Sequence, residues 1–250
     1  MLEAIENIQG LSMIKCQSYI QFQYFLGEYR MSQTWNLQQV QQHYQQCKEQ
    51  LPDPVRLRIH RSFSWLKQAT VNSSEDLQFM CLWVAFNAAY AKDLQNHDKP
   101  SESEEFRHFL QQICKADNQD IYQLIWQTYS ASIRTLLDSQ YVFQPYWDHK
   151  NGLKSEQSWQ DSFDKARRKS HLALADKNTP LVLSIVFSRL YTLRNQVFHG
   201  GATFASTVNR AQLKDAIRIL TDVLPLFLYV MMSHPNEAVW GKPYYPPIKD

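Results

Sequence analysis

An all-α fold is what this sequence predicts, on three observations. Apolar residues recur at three- and four-residue spacing through most of the chain, the pattern of one helical face. Only 6 glycines and 10 prolines occur in 250 residues, too few for a turn-rich β-sandwich. No stretch shows the alternation of a half-buried strand worth assigning. The composition, 44% hydrophobic and 20% charged, is that of a globular chain. With a net charge of +2, any contact with nucleic acid has to come from a local patch. The scarcity of glycine also argues against phosphate-binding glycine loops.

The helices follow in order. Residues 11–29 place Met13, Cys16, Ile20 and Tyr24 among polar neighbours, a helical stripe. Asn36 is a cap for a Gln-rich helix ending near Cys47, with Leu37, Val40 and Tyr44 on its core face. The Leu51-Pro52-Asp53-Pro54 break precedes a helix through Ile59, Phe63 and Leu66, closed at Val71-Asn72-Ser73-Ser74. Residues 77–94 are apolar almost all round, which makes them a central buried helix. Ser101 and Glu104 form a capping box for a helix to about residue 116. A further helix is expected over residues 120–137, then an irregular stretch over 141–155 containing Pro145 and Gly152. A polar helix spans about 156–176. Thr179-Pro180 then reads as a cap with proline at the first helical position, opening a helix to His199 that Gly200-Gly201 ends. The last helix, about 209–233, holds Pro225, which should kink it.

No repeat and no flexible linker divides these segments, so one domain is expected. Its parts are an N-terminal helical extension over residues 1–73, a core over 74–235 and a C-terminal tail over 236–250. The longest apolar run, residues 224–232, is too short to span a bilayer. Glu3 and Glu6 stand where an export signal would carry Lys or Arg. The four cysteines, Cys16, Cys47, Cys81 and Cys114, are scattered and read as reduced thiols. A soluble cytoplasmic protein is the expectation.

The chemistry concentrates in Arg194-Asn195-Gln196-Val197-Phe198-His199-Gly200-Gly201, the end of an apolar helix. Partly buried polar groups there are costly unless paired or used. At about 100° per residue, Asn195 and His199 fall about 40° apart with Arg194 beside them, so the three can face one cleft. The plainer alternative is a helix end where Arg and His satisfy terminal carbonyls.

An Arg followed by Asn, three further residues and a His, late in an all-α chain, resembles the ribonuclease motif of the HEPN superfamily. The matching residues are Arg194, Asn195 and His199. The run LYTLRNQVFHGGAT, the helix after it, WGKPYYP, and LWVAFNAAY at residues 82–90 are similar to bacterial HEPN proteins of the ApeA-like branch. The resemblance covers about residues 74–245 and leaves the first seventy without a counterpart. It implies a HEPN-type helical bundle and a metal-independent endoribonuclease, a hydrolase acting as a homodimer on an RNA substrate.

The residues suit that chemistry. Histidine titrates near neutral pH, so His199 can serve as base or acid. Arg194 can hold two phosphate oxygens, and Asn195 can orient the histidine or the phosphate. One chain supplies one such His, so a symmetric copy would complete the acid–base pair, leaving a 2′,3′-cyclic phosphate and a 5′-hydroxyl. A toxin–antitoxin or phage-defence role, with an antitoxin or regulatory protein as a further partner, follows from the same resemblance. The competing expectation is a non-catalytic HEPN-like module that binds nucleotide, RNA or a protein.

Other groups carry less. His43 and Cys47 have the spacing of two metal ligands on a helix, but no second pair lies nearby in sequence; no metal or cofactor is expected. The basic run at residues 165–171 could follow a phosphate backbone, although flanking aspartates favour a solvated face. Asn87 is an amide in an apolar helix that must find a hydrogen bond. Trp83, Phe86 and Tyr90 read as core rather than as a base-stacking platform. The aromatic, proline-rich tail is expected to dock on its own core or on a partner. No GxSxG, HExxH or Walker sequence is present.

Overall fold

A segment that is apolar on every side is stable only when other helices enclose it, and that requirement sets the plan of this molecule. The computed structural model describes residues 36–91 and 101–245, which are helical with no strand among them. In chain order the helices are α1 (Leu37–Cys47), α2 (Asp53–Val71), α3 (Glu75–Tyr90), α4 (Glu102–Ala116), α5 (Asp120–Gln123), α6 (Ser130–Leu137), α7 (Gln144–Lys150), α8 (Glu156–Ala175), α9 (Thr179–Phe198), α10 (Arg210–Ser233) and α11 (Glu237–Trp240). The expected helix over residues 11–29, with Cys16, lies outside the described residues.

Helix α3 is the enclosed one. Phe79, Trp83, Ala85 and Phe86 have no exposed surface. Helix α2 lies along it closely enough for the Ser62 hydroxyl to donate to the Ala85 carbonyl at 2.9 Å. Phe86 marks the junction of four helices, its ring centre 6.1 Å from Phe109 of α4, 4.5 Å from Phe187 of α9 and 6.4 Å from Phe227 of α10. Burial of such a ring contributes about 1.5–3 kcal/mol. Helix α1 shares this core through Val40 and Tyr44, capped as expected by Asn36, whose Oδ1 accepts from Gln39 N at 2.9 Å.

Helix α10 is long and apolar enough to cross a membrane by length and composition. Here it supplies Ile219, Leu220, Val223 and Phe227 to the core, each fully buried. Pro225 lies inside it without ending it. Cys47, Cys81 and Cys114 are free thiols whose pKa values burial raises, that of Cys114 to about 12.

Three local readings need correction. The helix expected over 120–137 is interrupted: Tyr129 N reaches back to Leu124 O at 3.3 Å, a wide i→i+5 turn. That turn sets the Tyr129 hydroxyl against α10, 2.5 Å from Asp222 Oδ2 and 3.0 Å from the Arg218 carbonyl. The stretch 141–155 is not irregular throughout, because Pro145 opens α7 in a first turn that needs no N–H donor. The cap of α9 is Asn178, whose Oδ1 accepts from Leu181 N at 3.1 Å. Thr179 is already helical, and its hydroxyl accepts from Trp126 Nε1 at 3.0 Å.

The start of the tail docks on its own core, through Trp240 and the main chain of Gly241 and Lys242. Trp240 is 3% exposed, with its ring centre 5.8 Å from Phe109. Arg58 of α2 is fully buried, donating to Ala89 O at 2.8 Å, Gly241 O at 3.2 Å and Lys242 O at 2.8 Å. This one guanidinium joins α2, the end of α3 and the tail.

Candidate active site

Helix α9 carries the motif. Its apolar turns bury Val186, Phe187, Leu190 and Leu193, and this anchors the polar residues that follow at the surface end of the core. His199 is the C-cap, its N–H on Asn195 O at 3.0 Å. Gly200 follows at φ 71°, a left-handed conformation that suits glycine and turns the chain away. A Cβ at Gly201 would stand 3.2 Å from Gln196 O, which favours the second glycine too.

The loop after the motif is tied at both ends. Gln196 Nε2 donates to Tyr141 O at 2.8 Å, and Asn209 Nδ2 donates to Gln196 Oε1 at 2.7 Å. Arg210 pairs with Asp76 at 3.0 Å and Glu75 at 3.2 Å, and Asp76 accepts from Ala205 N at 3.3 Å. The first turn of α3 therefore holds the loop that leaves His199.

Arg194 is half-buried, and its Nη1 donates to Asn195 Oδ1 at 3.0 Å. Its guanidinium lies 4.9 Å from the Phe198 ring centre and 5.7 Å from that of Tyr191. Its Nε–H is buried with no hydrogen-bond partner, and no carboxylate pairs with it among the described residues. His199 is exposed. The structure thus joins Arg194 directly to Asn195 and leaves the imidazole open to solvent in the next turn.

Three neighbours of Arg194 were not singled out as site residues by the sequence. The Tyr90 hydroxyl donates to Glu102 Oε1 at 2.9 Å, joining the end of α3 to the start of α4. Burial, then the Glu102 carboxylate, raises the pKa of Tyr90, while Arg194 pulls it down. Burial and then Glu102 raise that of Tyr191 too, with Arg194 and Asn195 opposing. Glu102, Tyr191 and Asn195 so lie together beside the guanidinium. The capping box at Ser101 located the helix start that positions Glu102.

The remaining candidates go elsewhere. His43 and Cys47 both pack on α10, the His43 ring 5.3 Å from Tyr229 and Cys47 Sγ 3.9 Å from Met232 Sδ. Burial lowers the His43 pKa. No group of three or more potential metal ligands stands together among the described residues. In the basic run, Arg167 and His171 share Asp138 at 3.2 and 3.3 Å, while Arg168 and Lys169 are exposed. Trp83, Phe86 and Tyr90 are core, at most 4% exposed. Asn87 departs from expectation: its Oδ1 is buried without a hydrogen-bond partner among the described residues. Comparison with protein-family models, curated proteins and solved structures returns no match to this chain.

Proposed function

We propose that the chain is a metal-independent endoribonuclease of HEPN type, working in the cytoplasm as a homodimer. The reading rests on the Arg194–Asn195 pair at the end of a core helix, with the guanidinium Nε left without a partner among the described residues and His199 open to solvent. A cation with no carboxylate paired to it among the described residues is a ready partner for phosphate oxygens. His199 takes the 2′-hydroxyl proton, and the freed oxygen attacks the adjacent phosphorus. Arg194 balances charge on the phosphorane. The P–O5′ bond then breaks, and the leaving oxygen takes a proton from the second histidine, supplied by a symmetric copy. A 2′,3′-cyclic phosphate and a 5′-hydroxyl remain.

The loop beside His199 favours the dimer, because Phe204 and Val208 are 69% and 62% exposed there. Paired across a two-fold axis, these side chains would be covered. An activity of this kind suits a toxin or phage-defence effector restrained by a separate antitoxin or regulatory protein.

The test is incubation of purified protein with RNA in EDTA, followed by analysis of the fragment ends. Cleavage should be unchanged by the chelator and leave the two ends named. Cleavage that needs a divalent metal would overturn the mechanism. Binding of RNA or nucleotide without any cleavage would instead favour the non-catalytic module.

A further inference from the structure

Helix α9 has a second face of interest. Leu181, Ile185, Ser188 and Thr192 follow one another at helical spacing along the wall of a cavity of ≈ 540 Å³. Arg189, on the same wall, lies five residues before Arg194, about 140° around the helix from it. The cavity is therefore separate from the site of the Arg194 motif. Its other walls come from α4, α7, α8 and the segment before α7, and its volume is in the range of small-molecule sites, about 300–1,000 Å³.

Arg189 is the unusual member. It is 4% exposed, its Nε has no hydrogen-bond partner among the described residues, and its one hydrogen bond, to Leu137 O, is long at 3.5 Å. Its guanidinium stacks on Phe143, 4.4 Å from the ring centre. The nearest acid felt by Arg189, Asp138, is already shared by Arg167 and His171. Burial lowers the Arg189 pKa to about 10, so it stays cationic at neutral pH. Arg107 and Lys169, both exposed, stand at the same cavity, and no acidic residue lines it among the described residues. Asn178, the cap of α9, lines it as well and brings the positive end of that helix to the cavity. Val142, Pro145, Leu181 and Ile185 supply apolar wall.

We propose that this cavity binds a small organic phosphate ester, its phosphate on Arg189, Arg107 and Lys169 and its apolar body against Leu181, Ile185 and Pro145. A phosphomonoester fits better than a carboxylate because three cations line the cavity and, among the described residues, no acid does. The site is independent of the ribonuclease reading and needs no second copy of the chain.

Isothermal titration with phenyl phosphate, inorganic phosphate and phenol tests it, since these carry charge and body together and then each alone. Phenyl phosphate should bind at least tenfold more tightly than either of the others. Arg189→Gln should weaken it about tenfold to a hundredfold, the range for a charge-assisted pair. Because that residue is buried, the exposed variants Lys169→Gln and Arg107→Gln provide the second measure. Each should weaken binding several-fold with unchanged Tm. Equal affinity for phenyl phosphate and phenol would overturn the proposal, as would indifference to both rim substitutions.

Discussion

Arg58 and Arg194 are both arginines drawn from water with no carboxylate paired to them among the described residues, and they are treated in opposite ways. Arg58 is sealed and its donors meet three main-chain carbonyls from two segments. Arg194 is half-open, bonded to its neighbour Asn195, and its Nε has no partner among the described residues. A buried cation whose every nitrogen donates to a main-chain carbonyl holds helices together. One with a nitrogen left without an acceptor holds a place for an anion. The difference lies in the acceptors, because the residue type is the same.

The widest separation between the two is expected from Arg58→Met. It removes three charge-assisted hydrogen bonds, one of them to the buried Ala89 carbonyl, at a cost of about 3–5 kcal/mol. Urea unfolding should show that loss, and one below about 1 kcal/mol would mean that the joint does not hold the tail. His199→Ala should do the reverse. Cleavage should fall by about 10²–10⁴-fold, the usual contribution of positioned proton transfer. Its Tm should stay put, since the side chain is exposed. Equal rates for variant and parent would end the catalytic assignment.

Arg194→Lys comes next, with cleavage reduced about tenfold or more, because an ammonium cannot make the bidentate contact or stack on Phe198 in the same way. A rate within twofold of the parent would show that charge alone suffices. The smallest effect belongs to Tyr191→Phe, which removes the hydroxyl that Glu102 and Asn195 both influence. A polar interaction of that kind is worth about 0.5–1.5 kcal/mol, so cleavage should fall about two- to tenfold. A full His199→Ala-sized loss would instead place the Tyr191 hydroxyl on the substrate.

What could be read from the sequence divides along the same line. Local signals were legible: the caps at Asn36 and Ser101, the all-round apolar α3, the glycine turn after His199. They work because caps and periodicity involve residues within a turn or two of each other. Tyr129 was not legible, since its wide turn answers to Asp222 on a distant helix. Pro145 stands in the stretch expected to be irregular, yet its position in a first turn makes it a helix opener. Of the candidate site, Arg194, Asn195 and His199 stood in one motif, whereas Glu102 and Tyr90 reach Arg194 only through packing. Arg58 and Arg189 had no signature at all, because main-chain carbonyls and cavity walls leave no mark in side-chain spacing.

The Arg58 joint also has a direction in time. Its acceptors at Gly241 and Lys242 lie 183 and 184 residues further along the chain. At a synthesis rate of about 5–20 residues per second, they emerge about 10–40 s after it. Through that interval α2 and α3 can pair, yet the guanidinium between them still needs water, so the face beneath the tail stays wet. Closure of the oldest part of the molecule thus waits on residues 240–245, whose arrival is registered in the stability of helices made long before.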